Sequence, residues 1–169
     1  YAGFEGGIRM IRSNLSRQKG MSTVEFAIVG AAFFMVLFAI IEFGRFMFVL
    51  NLLDESTRRG ARLAAVCPVT DQLAIRQSAS FNGVMVADLT EDNIQLNYLR
   101  DNGSDILDPV AGFGEISYVR ASIINYQHNL LIPFINLTLP TPDFATTIPG
   151  ESLGVHPTGA GNPDCGGAP

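Results

Sequence analysis

Histidine and cysteine, on which most metal sites and many catalytic sites depend, are scarce in this 169-residue chain, which has two of each. Cys67 and Cys165 are far apart and fit no C-x-x-C or Cys/His spacing of a zinc site. The sequence also lacks a nucleophile elbow, a P-loop, an H-E-x-x-H motif and a glycine-rich dinucleotide fingerprint. His128 and His156 are expected to be surface or packed residues. We therefore predict no enzyme, no metal site and no cofactor.

Basic residues are rare in the C-terminal part of the chain. Up to Arg62 there are eight basic residues against five acidic ones, and beyond it there are three against eleven. A surface this acidic is repelled by nucleic acid and by anionic lipid. We therefore expect no nucleic-acid partner.

Charge is missing altogether from residues 26–41, and apolar residues resume after Glu42 and Arg45 as far as Leu50. A helix needs about 20 mostly apolar residues to cross the hydrocarbon core of a membrane. The run is too long for the apolar part of a secretory signal peptide, so we expect it to be retained. Four basic residues precede it and favour a cytoplasmic N-terminus: Arg9, Arg12, Arg17 and Lys19.

The helix is expected to continue beyond the membrane. Residues 51–66 contain no proline and are rich in good helix formers, whereas Pro68 cannot be accommodated in a helix interior. We therefore predict a long helix over residues 21–66 that spans the membrane in its first half, preceded by a cytoplasmic leader over residues 1–20.

Short elements are predicted after the long helix. Thr70 is a plausible N-cap for a second helix of about three turns, which ends at Asn82-Gly83. Residues 93–99 alternate apolar and polar side chains, which is typical of a half-buried strand. Further strands are expected within residues 115–126 and, at a sheet edge between two prolines, over residues 143–148.

Two later segments are expected to be irregular. The apolar residues 128–137 are predicted to form a loop packed on the core, and the tail from about residue 155 is rich in Gly and Pro. The expected fold class is α+β, with a long N-terminal helix followed by a short helix and a small antiparallel sheet. Residues 69–169 would form the head domain.

Three ionisable residues lie in or beside the apolar run. Glu25 stands at its near edge, where it either marks the membrane boundary or has a partner that lowers the cost of its charge. Glu42 and Arg45 are three residues apart on one helix face. They can pair with each other or engage the helix of another chain, and the spacing leaves both readings open.

Cys67 and Cys165 both follow the predicted membrane helix. If this part of the chain lies outside the cytoplasm, its compartment permits a disulfide between them. Two unpaired thiols remain the alternative.

Three motifs occur in order along the first part of the chain: Lys19–Ala27, Ile41–Arg45 and Arg59–Arg62. The first, with Gly20 before Met21 and Glu25 fifth after that junction, resembles the processing signal of type IV pilins. Together the three motifs resemble the TadE-like family of the tight-adherence (Tad/Flp) pilus systems. The resemblance covers residues 17–66, and Met21 departs from the small residue that is more usual after the cut.

The resemblance implies a pilin-like fold and a processing step. Prepilin peptidase would cut after Gly20, remove the basic leader and create a new amino terminus at Met21. The Glu25 carboxylate would then meet the amine of a neighbouring subunit. The implied partners are prepilin peptidase, other pilin or pseudopilin subunits, and the inner-membrane platform that assembles the pilus.

The predicted function is that of a minor pilin or pseudopilin that takes part in assembling a tight-adherence pilus. It would be a single-pass protein of the bacterial inner membrane with a periplasmic head, and the resemblance allows its incorporation into the extracellular pilus. An alternative from a different class is an uncleaved, membrane-anchored periplasmic protein that binds a partner or an envelope component.

Overall fold

The structure is a computed structural model that describes residues 18–131, 137–155 and 165, with side chains from Ser22 onward. It divides into two compact units, Tyr1–Ile41 and Glu42–Pro169. The middle of the loop predicted at 128–137 lies outside the described residues, as does His156 with most of the predicted irregular tail.

The first helix, α1, runs from Gln18 to Val66. In its first part, residues 22–41, every residue is exposed except Gly30, which is partly exposed. By length and composition this helix is able to cross a membrane, and none of its apolar window is buried within the protein. An exposed run of this kind is stable in lipid and very costly in water, so it indicates single-pass membrane anchoring.

A four-stranded antiparallel sheet forms the centre of the second unit. Its strands are β1 (Ile94–Leu99), β2 (Asp105–Ile106), β3 (Tyr118–Ile123) and β6 (Ala145–Pro149), in the order β2-β1-β3-β6. The register pairs Leu96 with Ala121 and Val119 with Ile148. The predicted strand is confirmed as β1, in which Ile94 and Tyr98 are buried and Gln95 is exposed, and Leu99 on the opposite face is buried as well.

A second, two-stranded ribbon consists of β4 (Gln127–Asn129) and β5 (Thr138–Pro140), which pair antiparallel. The sequence predicted a loop from residue 128, so this expectation is wrong for His128 and Asn129. The apolar residues that follow them concealed the short strand, because an apolar run around a proline has no period of two.

The second helix, α2, spans Gln72–Ala79, and its N-cap residue is Asp71 rather than the predicted Thr70. Three single 3-10 turns complete the described elements, at Phe81–Gly83, Glu91–Asn93 and Phe113–Glu115. The long helix, the short helix and the small antiparallel sheets establish the α+β class.

The second half of α1 packs against the sheet and α2 through one face, whose buried residues recur every three or four positions. They are Glu42, Val49, Leu53, Ser56, Thr57, Gly60, Ala61, Ala64 and Ala65. At Gly60 the approach is close, since a Cβ there would lie 3.2 Å from the Cβ atoms of both Ala121 and Ala79. The absence of a side chain at Gly60 therefore sets how near α1 comes to β3 and α2.

Two buried apolar clusters lie along this face of α1. One contains Val49 and Leu53 together with Ile94 and Tyr126. The other, towards the C-terminal end of α1, contains Ala64, Ala65, Tyr98, Ile106 and the two cysteines. Glu42 precedes the first cluster by two helical turns.

Candidate functional site

Glu42 is a buried carboxylate on α1, in the position that directly follows the apolar run, and 8% of the residue is exposed. Arg45, one turn later, donates to both carboxylate oxygens: its Nε lies 3.2 Å from Oε1 and 3.3 Å from Oε2, and its Nη2 lies 2.5 Å from Oε1. Two opposite charges one turn apart on a helix neutralise each other locally, which lowers the cost of burying the carboxylate.

The β4 strand completes this site. The Nε2 atom of His128, a residue that is 1% exposed, lies 3.4 Å from Oε1 of Glu42. The Arg45 guanidinium also donates to the backbone carbonyl of Asn129, and the backbone of Leu131 hydrogen-bonds to the Glu42 carboxylate. The charge pair therefore binds the β4 strand to the helix across more than 80 residues of sequence.

Apolar packing supports the same contact. The ring of Phe46 lies 5.1 Å from the His128 ring, centroid to centroid.

Asn129, the residue after His128, adds a polar contact: its side-chain amide donates to the Asp88 carboxylate at 3.0 Å. We call the group formed by Glu42, Arg45, His128 and the Asn129 carbonyl the helix–ribbon clamp. Its carboxylate and guanidinium bond to each other and to groups of the β4 segment, which is typical of a structural contact.

The clamp offers no metal site. In the part of the chain that the structure describes, no three His, Cys, Asp or Glu side chains come together in a way that could hold a metal ion. Of the predicted site residues, the structure thus brings together Glu42 and Arg45, and it adds His128, which the sequence left as an ordinary packed or surface residue.

The predicted processing residues lie at the start of α1. Gly20 and Met21 are both helical, while their side-chain surroundings are outside the described residues. Glu25 is exposed and belongs to the first compact unit. Its carboxylate is therefore accessible to another molecule.

Cys67 and Cys165 are joined by a disulfide. Cys67 directly follows the last residue of α1, and both cysteines are buried in the cluster around Ala64, Ala65 and Tyr98. The bond closes a sequence separation of 98 residues. It fixes residue 165 to the end of the long helix.

A small cavity of about 170 Å³ lies beside β1 and β2, and Gln72, Asn97, Tyr98 and Asp105 contribute to its lining. The Tyr98 hydroxyl is buried and has no hydrogen-bond partner among the described residues. Burial, with the nearby Asp71 carboxylate adding to it, raises the pKa of Tyr98 to about 12. Burial also raises the pKa of Tyr126, whose hydroxyl donates to the Ala87 carbonyl at 3.1 Å. The alternation of β1 placed Tyr98 on a buried face, whereas no local sequence pattern marks Tyr126.

The comparison with protein families gives one match. A family model described as TadE-like protein matches residues 20–62. No curated protein and no solved structure matches the chain. The matched range begins at Gly20 and ends within the part of α1 that packs on the sheet, so it includes Glu25, Glu42 and Arg45.

The matched range covers 43 of the 169 residues, so the similarity is to this segment of the chain. The resemblance drawn from the three sequence motifs is confirmed over residues 20–62, which are similar to the TadE-like family.

Proposed function

We propose that the chain is a minor pilin or pseudopilin of a tight-adherence pilus and that prepilin peptidase processes it after Gly20. The observation that carries the proposal is the position of the family match, which begins at Gly20 and continues through an exposed apolar helix. An exposed apolar helix suits two environments in turn, the lipid bilayer and the helical core of a filament.

Processing would change the charge at the start of the helix. Before the cut, Arg9, Arg12, Arg17 and Lys19 favour retention of the N-terminus in the cytoplasm. After the cut, the amine of Met21 is a cation next to the membrane boundary. The exposed carboxylate of Glu25 on another subunit is its natural partner, because two opposite charges attract strongly where water is scarce.

The domain organisation follows from the same reading. Residues 1–20 form the cytoplasmic leader, residues 21–66 form the long helix, and residues 69–169 form the periplasmic head. Residues 22–41 of the helix, at about 1.5 Å each, are long enough to cross a hydrocarbon core of about 30 Å. The Cys67–Cys165 disulfide supports a periplasmic head, since such bonds persist in oxidising compartments.

The partners of this subunit would be prepilin peptidase, other pilin or pseudopilin subunits, and the inner-membrane assembly platform. Because Glu42 and Arg45 are already paired with each other and with β4, contact with other subunits falls to Glu25 and to the exposed apolar side chains of α1. The head, held on α1 by the helix–ribbon clamp, would then prime or cap the filament.

A second candidate is an uncleaved single-span protein whose periplasmic head binds a partner or an envelope component. The residue at position 21 favours it, since a methionine replaces the small residue that is usual after the cut. Such a protein would keep its basic leader and remain in the inner membrane as a monomeric anchor.

The intact mass of the protein from cells with and without prepilin peptidase separates the two candidates. Processing predicts a mass difference equal to the segment that ends at Gly20, and the Gly20→Val variant should keep the larger mass in both strains. An unchanged mass of the wild-type chain in cells with an active peptidase would establish the anchored protein instead.

A further inference from the structure

Two large apolar side chains are exposed at one end of the β4–β5 ribbon. Leu131 is 73% exposed and Leu137 is 50% exposed. The backbone N–H of Leu130 donates to the carbonyl of Leu137 at 3.1 Å, so the two chain segments lie side by side at this end. Burial of an exposed leucine side chain is favourable, so this end of the ribbon gains from any apolar cover.

The helix–ribbon clamp places this end at the point where α1 leaves its apolar run. The Glu42 carboxylate, which directly follows Ile41, receives a hydrogen bond from the backbone of Leu131. The Arg45 guanidinium donates to the carbonyl of Asn129, two residues before Leu131. The exposed leucines therefore lie at the height of Glu42 along α1.

The face of α1 that the head leaves uncovered stays apolar beyond Glu42. Phe43 is 64% exposed, Met47 37% and Phe48 58%, and exposed polar residues begin at Asn51. Phe48 lies six residues past Glu42, which is about 9 Å along the helix axis. If lipid surrounds this face up to Phe48, it also reaches the height of Leu131 and Leu137 on the other side.

We propose that the end of the β4–β5 ribbon, with Leu131 and Leu137, lies in the membrane interface and forms a second contact between the head and the bilayer. This proposal rests on the membrane anchoring that forms part of the proposed function. It goes beyond that function because it fixes the head against the lipid surface. Without this contact, only α1 would connect the head to the membrane.

The surrounding charges limit this contact to a shallow depth. Asp88 accepts a hydrogen bond from the Asn129 side chain, and a carboxylate is far more costly at the bilayer centre than at the interface. Arg45, close by, is able to reach the headgroup region with its remaining donors. The head as a whole is acidic, so the contact depends on apolar side chains and suits zwitterionic lipid better than anionic lipid.

The chain contains no tryptophan, so a single introduced indole reports on one position only. The full chain carrying Leu131→Trp is reconstituted in phosphatidylcholine vesicles whose acyl chains are brominated either near the carbonyl or near the middle. We expect the emission to be largely lost with bromine near the carbonyl and to change much less with bromine deep in the bilayer. Leu137→Trp, on the other strand, must give the same pattern.

Leu107→Trp is the matched control, since Leu107 is 98% exposed and follows Ile106, which packs with Ala64 and Ala65. Those alanines lie about 33 Å beyond Glu42 along α1. The indole at position 107 should be quenched by aqueous acrylamide and not by brominated lipid. Phe34→Trp, within the apolar run, tests the membrane span itself.

The outcomes distinguish the two proposals. Quenching of Phe34→Trp without quenching at positions 131 and 137 would overturn the interfacial contact and leave the membrane span intact. Lack of quenching at position 34 would overturn the span and the proposed function with it. Emission at position 131 that responds to other pilus subunits and not to brominated lipid would assign this surface to a protein partner, and the proposal would be wrong.

Discussion

Glu42 and His128 are 86 residues apart in the sequence, yet the carboxylate Oε1 and the ring Nε2 lie 3.4 Å apart. This contact, with the bonds of Arg45, is the point at which the ribbon is held to the long helix. A charged pair that is partly withdrawn from water stabilises the fold only while both members are present, because the remaining charge would otherwise be buried alone.

Replacing Arg45 by methionine should destabilise the head. Since 28% of the Arg45 side chain remains exposed, we expect a loss of about 1 to 3 kcal/mol, less than for a fully buried pair. Urea unfolding of the full chain in detergent, followed by the circular dichroism of the tyrosines, measures the change. Arg58→Met is the control, because the Arg58–Asp54 pair is about half exposed and its removal should cost under about 0.5 kcal/mol. Equal losses in the two variants would contradict a structural role for the clamp.

Glu25→Val should abolish pilus assembly and leave membrane insertion intact. The variant removes an exposed carboxylate and makes the helix more apolar, so insertion is not weakened, whereas the proposed partner amine of Met21 loses its counter-charge. Glu25→Gln, which keeps the size of the side chain, should fail in the same way. Membrane fractionation and the yield of sheared pili measure the two effects. Normal piliation with valine at position 25 would show that the carboxylate merely marks the membrane boundary.

Gly60→Leu should destabilise the head, because a Cβ at this position already lies 3.2 Å from the Cβ atoms of Ala79 and Ala121. Overpacking of this kind typically costs about 1 to 3 kcal/mol. Gly44→Leu makes the same change in the same helix at a position with nothing within 4 Å of the added Cβ. Thermal unfolding should therefore begin at a lower temperature for Gly60→Leu alone. Similar melting curves for the two variants would refute the close approach of α1 to β3.

Alkaline pH should destabilise the protein through Tyr98. Its pKa of about 12 exceeds the ordinary value of 10, so the folded state holds the phenolic proton more tightly than the unfolded state. The resulting stabilisation is complete below about pH 10 and is lost as the pH rises to about 12, and a two-unit shift corresponds to about 3 kcal/mol.

The Tyr98→Phe variant tests this reasoning. It removes a buried hydroxyl that has no partner among the described residues, so it should be neutral or stabilising at neutral pH and should lose less stability in alkali. Tyr126→Phe instead removes a donor to the Ala87 carbonyl and should cost about 1 kcal/mol at neutral pH. Urea unfolding at pH 7 and above pH 10 measures both effects. A Tyr98→Phe protein less stable than Tyr126→Phe at pH 7 would contradict the assignment.

The elements whose sequence pattern of apolar and polar residues extends over many residues were predictable. The apolar run, the absence of proline before Pro68 and the alternation in β1 each follow from local physical chemistry, and the structure confirms α1 and β1. The edge strand predicted at residues 143–148 is β6, since Ala145–Pro149 pairs on one side with β3. The family motifs could also be recognised from the sequence, because all three lie within α1.

The parts that depend on distant contacts were not predictable. The β4 strand has three residues, too few for a period, and it is held by the pairing of His128 with Leu139 and by its contact with Glu42. The two-residue β2 strand lies within a stretch that reads as a turn. The spacing of Glu42 and Arg45 allowed either a local pair or a contact with another chain, and it contained no information on which strand of the head would join them.

The disulfide between Cys67 and Cys165 has a consequence for the resistance of the protein to proteolysis. It ties both ends of the head to the end of the long helix, so a single backbone break anywhere between the two cysteines leaves every fragment covalently attached. Nicking in an exposed surface loop therefore cannot shed the head from its helix unless the bond is reduced as well.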